Sequence, residues 1–117
     1  MKKVTIKFSD EAKKIFLFLE EKSPYSKKER MLFDAIQHKI ELIKKDRQYG
    51  IPISKGLIPA YYKEKHNASN LFRVELPCFW RMLYTLKEGE QKIEIIAFII
   101  DIINHKKYNK KFGYKKH

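Results

Sequence analysis

Arg81 stands between Trp80 and Met82 in "FWRMLYTL" (Phe79–Leu86), an otherwise apolar, alternating run. Its neighbours restrict an arginine so placed, and its planar guanidinium presents donors that match a phosphate. Strand pairing equally allows an ion pair with Glu75 on the run before it. A second candidate is "HKKY", His105 to Tyr108. Histidine is the side chain that exchanges a proton near neutral pH without a large shift. A tyrosine three residues on can stack on a base, or both rings can pack on a sheet edge at a frayed terminus. Beyond Asp101 there is no acidic residue, while Lys106, Lys107, Lys110, Lys111, Lys115 and Lys116 interleave with Tyr108, Phe112 and Tyr114. That pattern suits phosphates and bases, or else a solvated charged end. Phe112 and Tyr114 require somewhere to bury, which favours an ordered tail over 104–117.

Other chemistries lack their residues. There is no glycine-rich phosphate loop, no G-x-S-x-G setting and no cysteine–histidine cluster with zinc spacing. His38, His66, His105 and His117 are scattered. No metal and no small-molecule cofactor is expected.

The 117 residues carry a formal net charge of +12. Such an excess points to a polyanionic partner, with solubility or a lysine-rich composition as the plain alternative. The length supports one domain, 1–117, with one modest core. The single cysteine, Cys78, excludes an intrachain disulfide and fits a reducing cytosol. "MKKVTIKFSD" is basic without a long apolar stretch behind it, so it does not read as a signal peptide. Ile93–Ile103 is too short to span a bilayer and carries Glu94 and Asp101. A cytoplasmic protein with no membrane role is expected.

These residues need a frame. "VTIKF" (Val4–Phe8) alternates as a strand does. Ser9 is a helix N-cap with Asp10 and Glu11 in the first turn, and Ala12, Ile15, Phe16 and Leu19 follow at helical spacing. Pro24 breaks the pattern. Ser26, with Glu29 three residues on, suggests a capping box for a second helix bearing Leu32, Phe33, Ile36, Ile40 and Ile43. Residues 50–69, with two prolines, two glycines and the cations Lys55, Lys63, Lys65 and His66, read as a long functional loop. Three strands then close the domain: Asn70–Leu76, Phe79–Leu86 and the isoleucine-rich run from Lys92, which is apolar on both faces and so interior to the sheet. The result is an α+β domain, strand–helix–helix–three strands. A helical hairpin covers one face of a mostly antiparallel four-stranded sheet. Period-two alternation puts Phe72, Val74, Leu76, Trp80, Met82 and Tyr84 on the covered face, and Arg73, Glu75 and Arg81 on the face left partly open.

In this order "NLFRVELPCFWRMLYTL", "IEIIAFII" and "HKKY" resemble the RelE/ParE superfamily of type II toxin–antitoxin toxins. Trp80-Arg81-Met82-Leu83-Tyr84 is similar to that family's arginine–hydrophobic–hydrophobic–tyrosine signature. The resemblance spans the chain by topology, and by motif covers Leu71 to Tyr108. It implies a metal-independent endoribonuclease that cuts mRNA, often on the ribosome, and a cognate acidic antitoxin protein as partner. It implies that Arg81 steadies the scissile phosphate, His105 transfers a proton and Tyr108 contacts the nucleotide. Lys106 or Lys107 would stand where other members carry arginine. Arg73, Lys55, Lys63, Lys65, Lys106, Lys110, Lys111 and Tyr114 would line the RNA path. The second proton-transfer group stays open among Lys63, Glu64, Lys65 and Lys107. A gyrase-poisoning relative and a non-catalytic RNA- or ribosome-binding module are the alternatives.

Overall fold

The computed structural model describes residues 3–91 and 93–113. Tyr114 therefore lies outside the described residues. The chain runs β1 (Lys3–Phe8), α1 (Asp10–Lys22), α2 (Lys27–Lys45), β2 (Ile51–Pro52), α3 (Ala60–His66), β3 (Phe72–Glu75), β4 (Arg81–Glu88), β5 (Glu94–Ile103) and α4 (His105–Lys111). It is an α+β arrangement around one open sheet in the order β1-β5-β4-β3-β2. β1 pairs with β5 in parallel, and the other three pairings are antiparallel. The sheet is thus five-stranded and mixed, where four strands were expected. The added strand is the short pairing of Ile51 and Pro52 with Arg73 and Phe72. The isoleucine-rich β5 lies inside the sheet, between β1 and β4.

The first core forms as the alternation requires. Val74, Leu76, Met82 and Tyr84 are buried with Leu19 of α1 and Ile36 of α2, while Phe72 and Trp80 pack against the same cluster. Ser9 caps α1: its Oγ accepts from the Ala12 N–H at 3.1 Å and donates to the Ile100 carbonyl at 2.8 Å, tying the helix start to β5. The capping box at Ser26 does not close. Its hydroxyl donates to the Glu29 carboxylate and makes no bond to the helix backbone.

The face expected to stand open carries a second core. Ile58, Tyr62, Leu71, Leu83, Ile100 and Tyr108 are buried there, beneath α3 and α4. Each such side chain contributes about 1.5–3 kcal/mol of burial. The long loop of 50–69 therefore contains a helix, α3, whose Tyr62 points inward. The basic tail also contains a helix, α4, capped by Asn104, whose side chain accepts from the Lys107 N–H at 3.0 Å. Phe112 follows it and stacks on Tyr108 at 4.3 Å between ring centroids.

A bulge in β5 completes the second face. Leu83 pairs with Asp101 and Tyr84 with Ile99, so Ile100 is the extra residue. Ile100 enters the second core, and Asp101 bonds groups of α3 and α4 on that side. No helix among the described residues is long and apolar enough to cross a membrane.

Candidate nucleic-acid interface

β3 and β4 set Glu75 directly opposite Arg81, and Arg73 opposite Leu83. Arg73 and Glu75 are two residues apart on one strand, so all three charged side chains leave the same face. Arg73 Nε lies 2.9 Å from one Glu75 oxygen, and Arg81 Nε 3.5 Å from the other. Of the two alternatives for Arg81, the ion pair is formed. Arg81 is paired with Glu75, and it belongs to a two-arginine cluster with an excess of one positive charge.

α4 closes over this cluster. The Arg81 guanidinium sits 4.8 Å from the centre of the Tyr108 ring and that of Arg73 at 5.9 Å. Arg73 Nη1 donates to the Tyr108 hydroxyl at 3.1 Å. Tyr108 is only 2% exposed. So covered, the ring packs α4 onto the arginines, the packing alternative of the two read from the sequence, and offers a base no open face.

The exposed aromatic of the site is Phe79, in the turn between β3 and β4. It is 74% exposed, and its ring lies 6.2 Å from that of His105, itself exposed at the start of α4. Phe79 and its neighbour Cys78 both hold a left-handed backbone, φ 61° and 59°. A bulky residue there is a rare and costly choice. The Phe79 carbonyl accepts from Arg81 Nη1 at 3.2 Å, so the turn and the arginine brace each other. Pro77 in "LPCFW" is a residue of tight connections, but periodicity cannot show that the ring of Phe79 turns outward. Arg81 and His105 are thus joined through Phe79, one by a hydrogen bond and one by ring contact.

The remaining expected residues separate onto other surfaces. Lys107 and Lys110 line a cleft between α1 and α4. Lys111 pairs with Asp101 at 2.7 Å. Lys65 is bound to Glu11 of α1, and that bond, with the Tyr61 hydroxyl, holds the Glu11 carboxyl below its ordinary range. Lys55 and Lys63 line a separate depression beside Asn67. Lys106 is exposed on α4. The cations expected along an RNA path are divided among surfaces because α3 and α4 are helices, which send neighbouring lysines in different directions. His66, read with the basic loop, is buried edge-on against Phe98 at 5.6 Å.

Among the described residues no group of three or more His, Cys, Asp or Glu side chains gathers as a metal site would. Comparison with protein-family models, with curated proteins and with solved structures gives no match.

Proposed function

We propose that the chain binds single-stranded RNA at the Arg73–Arg81–His105–Phe79 surface and cleaves it without a metal, as a toxin of the RelE/ParE kind bound by a cognate acidic antitoxin. The observation that carries this reading is the meeting of a half-buried arginine pair, a histidine and an outward-turned aromatic ring at one end of the sheet. Arg81, and Arg73 beside it, would hold the scissile phosphate. A base would stack on Phe79, and His105 would sit within reach of the sugar–phosphate. In the reaction the ribose 2′-oxygen attacks phosphorus, a base removes its proton, and the bond to the 5′-oxygen breaks as an acid protonates it. His105 serves one proton transfer. Lys107 is the weaker choice for the other, since it lines the opposite side of α4.

The test is cleavage of a translated transcript in the presence of a chelator, comparing wild type with Arg81→Ala. The proposal requires cutting that falls by about a hundredfold or more in the variant, since a donor to the transition-state charge is lost. Equal cutting by both proteins would place the site elsewhere.

One observation favours a second reading, a non-catalytic RNA-binding module. Glu75 already occupies both arginines, and a phosphate must compete with that carboxylate. Salt-dependent RNA binding with no cleaved product, strengthened by Glu75→Gln, is the outcome that reading expects.

A further inference from the structure

A cleft lies on the other side of α4. It has a volume of about 680 Å3, between α1 and α4. Its floor is apolar: Ile15 of α1, Ile102 and Ile103 of β5, and Tyr61 of α3. Its walls carry lysines, Lys14 on α1 and Lys107 with Lys110 on α4.

The two carboxylates that face the cleft are already engaged. Asp101 accepts from Lys111 and from the Tyr62 hydroxyl, each at 2.7 Å, and Glu11 is bound by Lys65 and Tyr61. Lys14, Lys107 and Lys110 have no carboxylate partner among the described residues. The cleft therefore presents three uncompensated positive charges around a greasy floor. Its complement is an anion with a bulky apolar part.

We propose that this cleft seats an acidic segment of a partner protein, anchored by one large aliphatic or aromatic side chain between α1 and α4. Charge complementarity selects the acidic flanks, and the isoleucine floor selects the anchor. RNA fits the cleft less well. Tyr61 is the aromatic ring of the lining, and the ammonium groups of Lys65 and Lys111 stand 5.5 and 4.9 Å from its centre. A ring so attended is a poor platform for a base. Lysines also lack the guanidinium fork that serves phosphate best. The inference rests on the proposed function only in taking the partner to be acidic. The cleft and the arginine cluster lie on different sides of α4 and are separable by substitution.

The experiment uses the full chain and a fluorescein-labelled peptide rich in glutamate and aspartate with a central leucine. A matched peptide with serine in the centre and a labelled single-stranded RNA are the controls. Anisotropy titrations should show the leucine peptide binding, and about tenfold weaker binding of the serine peptide, the loss expected when one buried aliphatic side chain is removed. Lys14→Glu and Lys110→Glu should each weaken the leucine peptide about tenfold. These residues are exposed on opposite walls, so either variant suffices should the other misfold by circular dichroism. Arg81→Ala should leave peptide affinity unchanged even where it abolishes RNA cleavage. Equal affinity for the leucine and serine peptides would overturn the proposal, as would no binding of either. So would displacement of the peptide by RNA whose own affinity falls in Lys14→Glu.

Discussion

Phe79 holds a backbone conformation that a phenylalanine seldom takes, and it exposes its ring in doing so. Left-handed geometry at a bulky residue costs about 1–3 kcal/mol, so an outward ring at that position is maintained against stability. Phe79→Gly relieves the strain and adds freedom to the unfolded chain, and the two effects oppose each other. Denaturant unfolding should give a stability unchanged or raised by up to about 1 kcal/mol. RNA affinity, by contrast, should fall by about 1–3 kcal/mol through the lost stacking platform. A variant that is less stable yet binds RNA as wild type does would mean the ring is there to pack on His105. Tyr108 teaches the converse. Its spacing in "HKKY" allowed either a stacking or a packing role, and spacing cannot say whether a ring three residues after a histidine faces solvent or guanidinium groups. Its burial comes with its place in the second core, which also holds Tyr62, Leu71 and Leu83, residues distant in sequence.

At the scale of elements, α4 is held from within the second core, by the two arginines against Tyr108 and by the pairing of Lys111 with Asp101. Asp101 is 3% exposed, and its carboxylate is answered by Lys111 and Tyr62. Burial and the nearby Asp101 charge raise the Tyr62 phenol well above its ordinary value, so it remains a donor. Lys111→Met leaves the aliphatic stem and strands the carboxylate, which should cost about 3 kcal/mol, the lower end for breaking a buried pair because the lysine is partly exposed. Denaturant unfolding checks the magnitude. Hydrogen exchange checks the place, since α4 amides should lose protection before those of β4. Adding Asp101→Asn to Lys111→Met should recover part of the loss, whereas additive costs would mean the two groups do not act as a pair. The same region marks the limit of reading elements from sequence. β1, α1, α2, β3 and β4 were legible because their apolar residues recur with a period of two or of about 3.6, and β5 because it is a long β-branched run apolar on both faces. α3 and α4 are seven residues each, too short to repeat a helical stripe, and their lysines and prolines resemble loop chemistry. The β5 bulge was illegible because a run of isoleucines is apolar in either register.

At the scale of the whole molecule, the formal charge of +12 makes acid the harder test of the fold, and His66 fixes where the decline starts. It is packed among Tyr61, Tyr62 and Phe98, and burial lowers its pKa from the ordinary 6.5. Glu11 and Asp101 oppose that shift, and Lys65 and Lys87 add to it. The sign follows from which state binds the proton. Well above pH 6.5 the imidazole is neutral folded and unfolded, and contributes no slope. As pH falls below that value the unfolded chain takes the proton first, so unfolding is favoured until the folded imidazole also titrates. Glu11 and Glu29, whose carboxyls are held low by hydrogen bonds to Lys65 and to Ser26, begin to weaken the fold only further down, below their ordinary 4.5. Stability by denaturant unfolding should therefore be level well above pH 6.5, decline as pH falls through 6.5 until the folded imidazole also takes its proton, and decline again below 4.5 as the carboxylates titrate. His66→Gln cannot titrate, and should remove the first decline while keeping the second. If the variant keeps the first decline, that decline belongs to self-repulsion of the basic surface, and added salt should then suppress it. For a buried imidazole the same salt should change the slope little, because its cost is desolvation and not a long-range field.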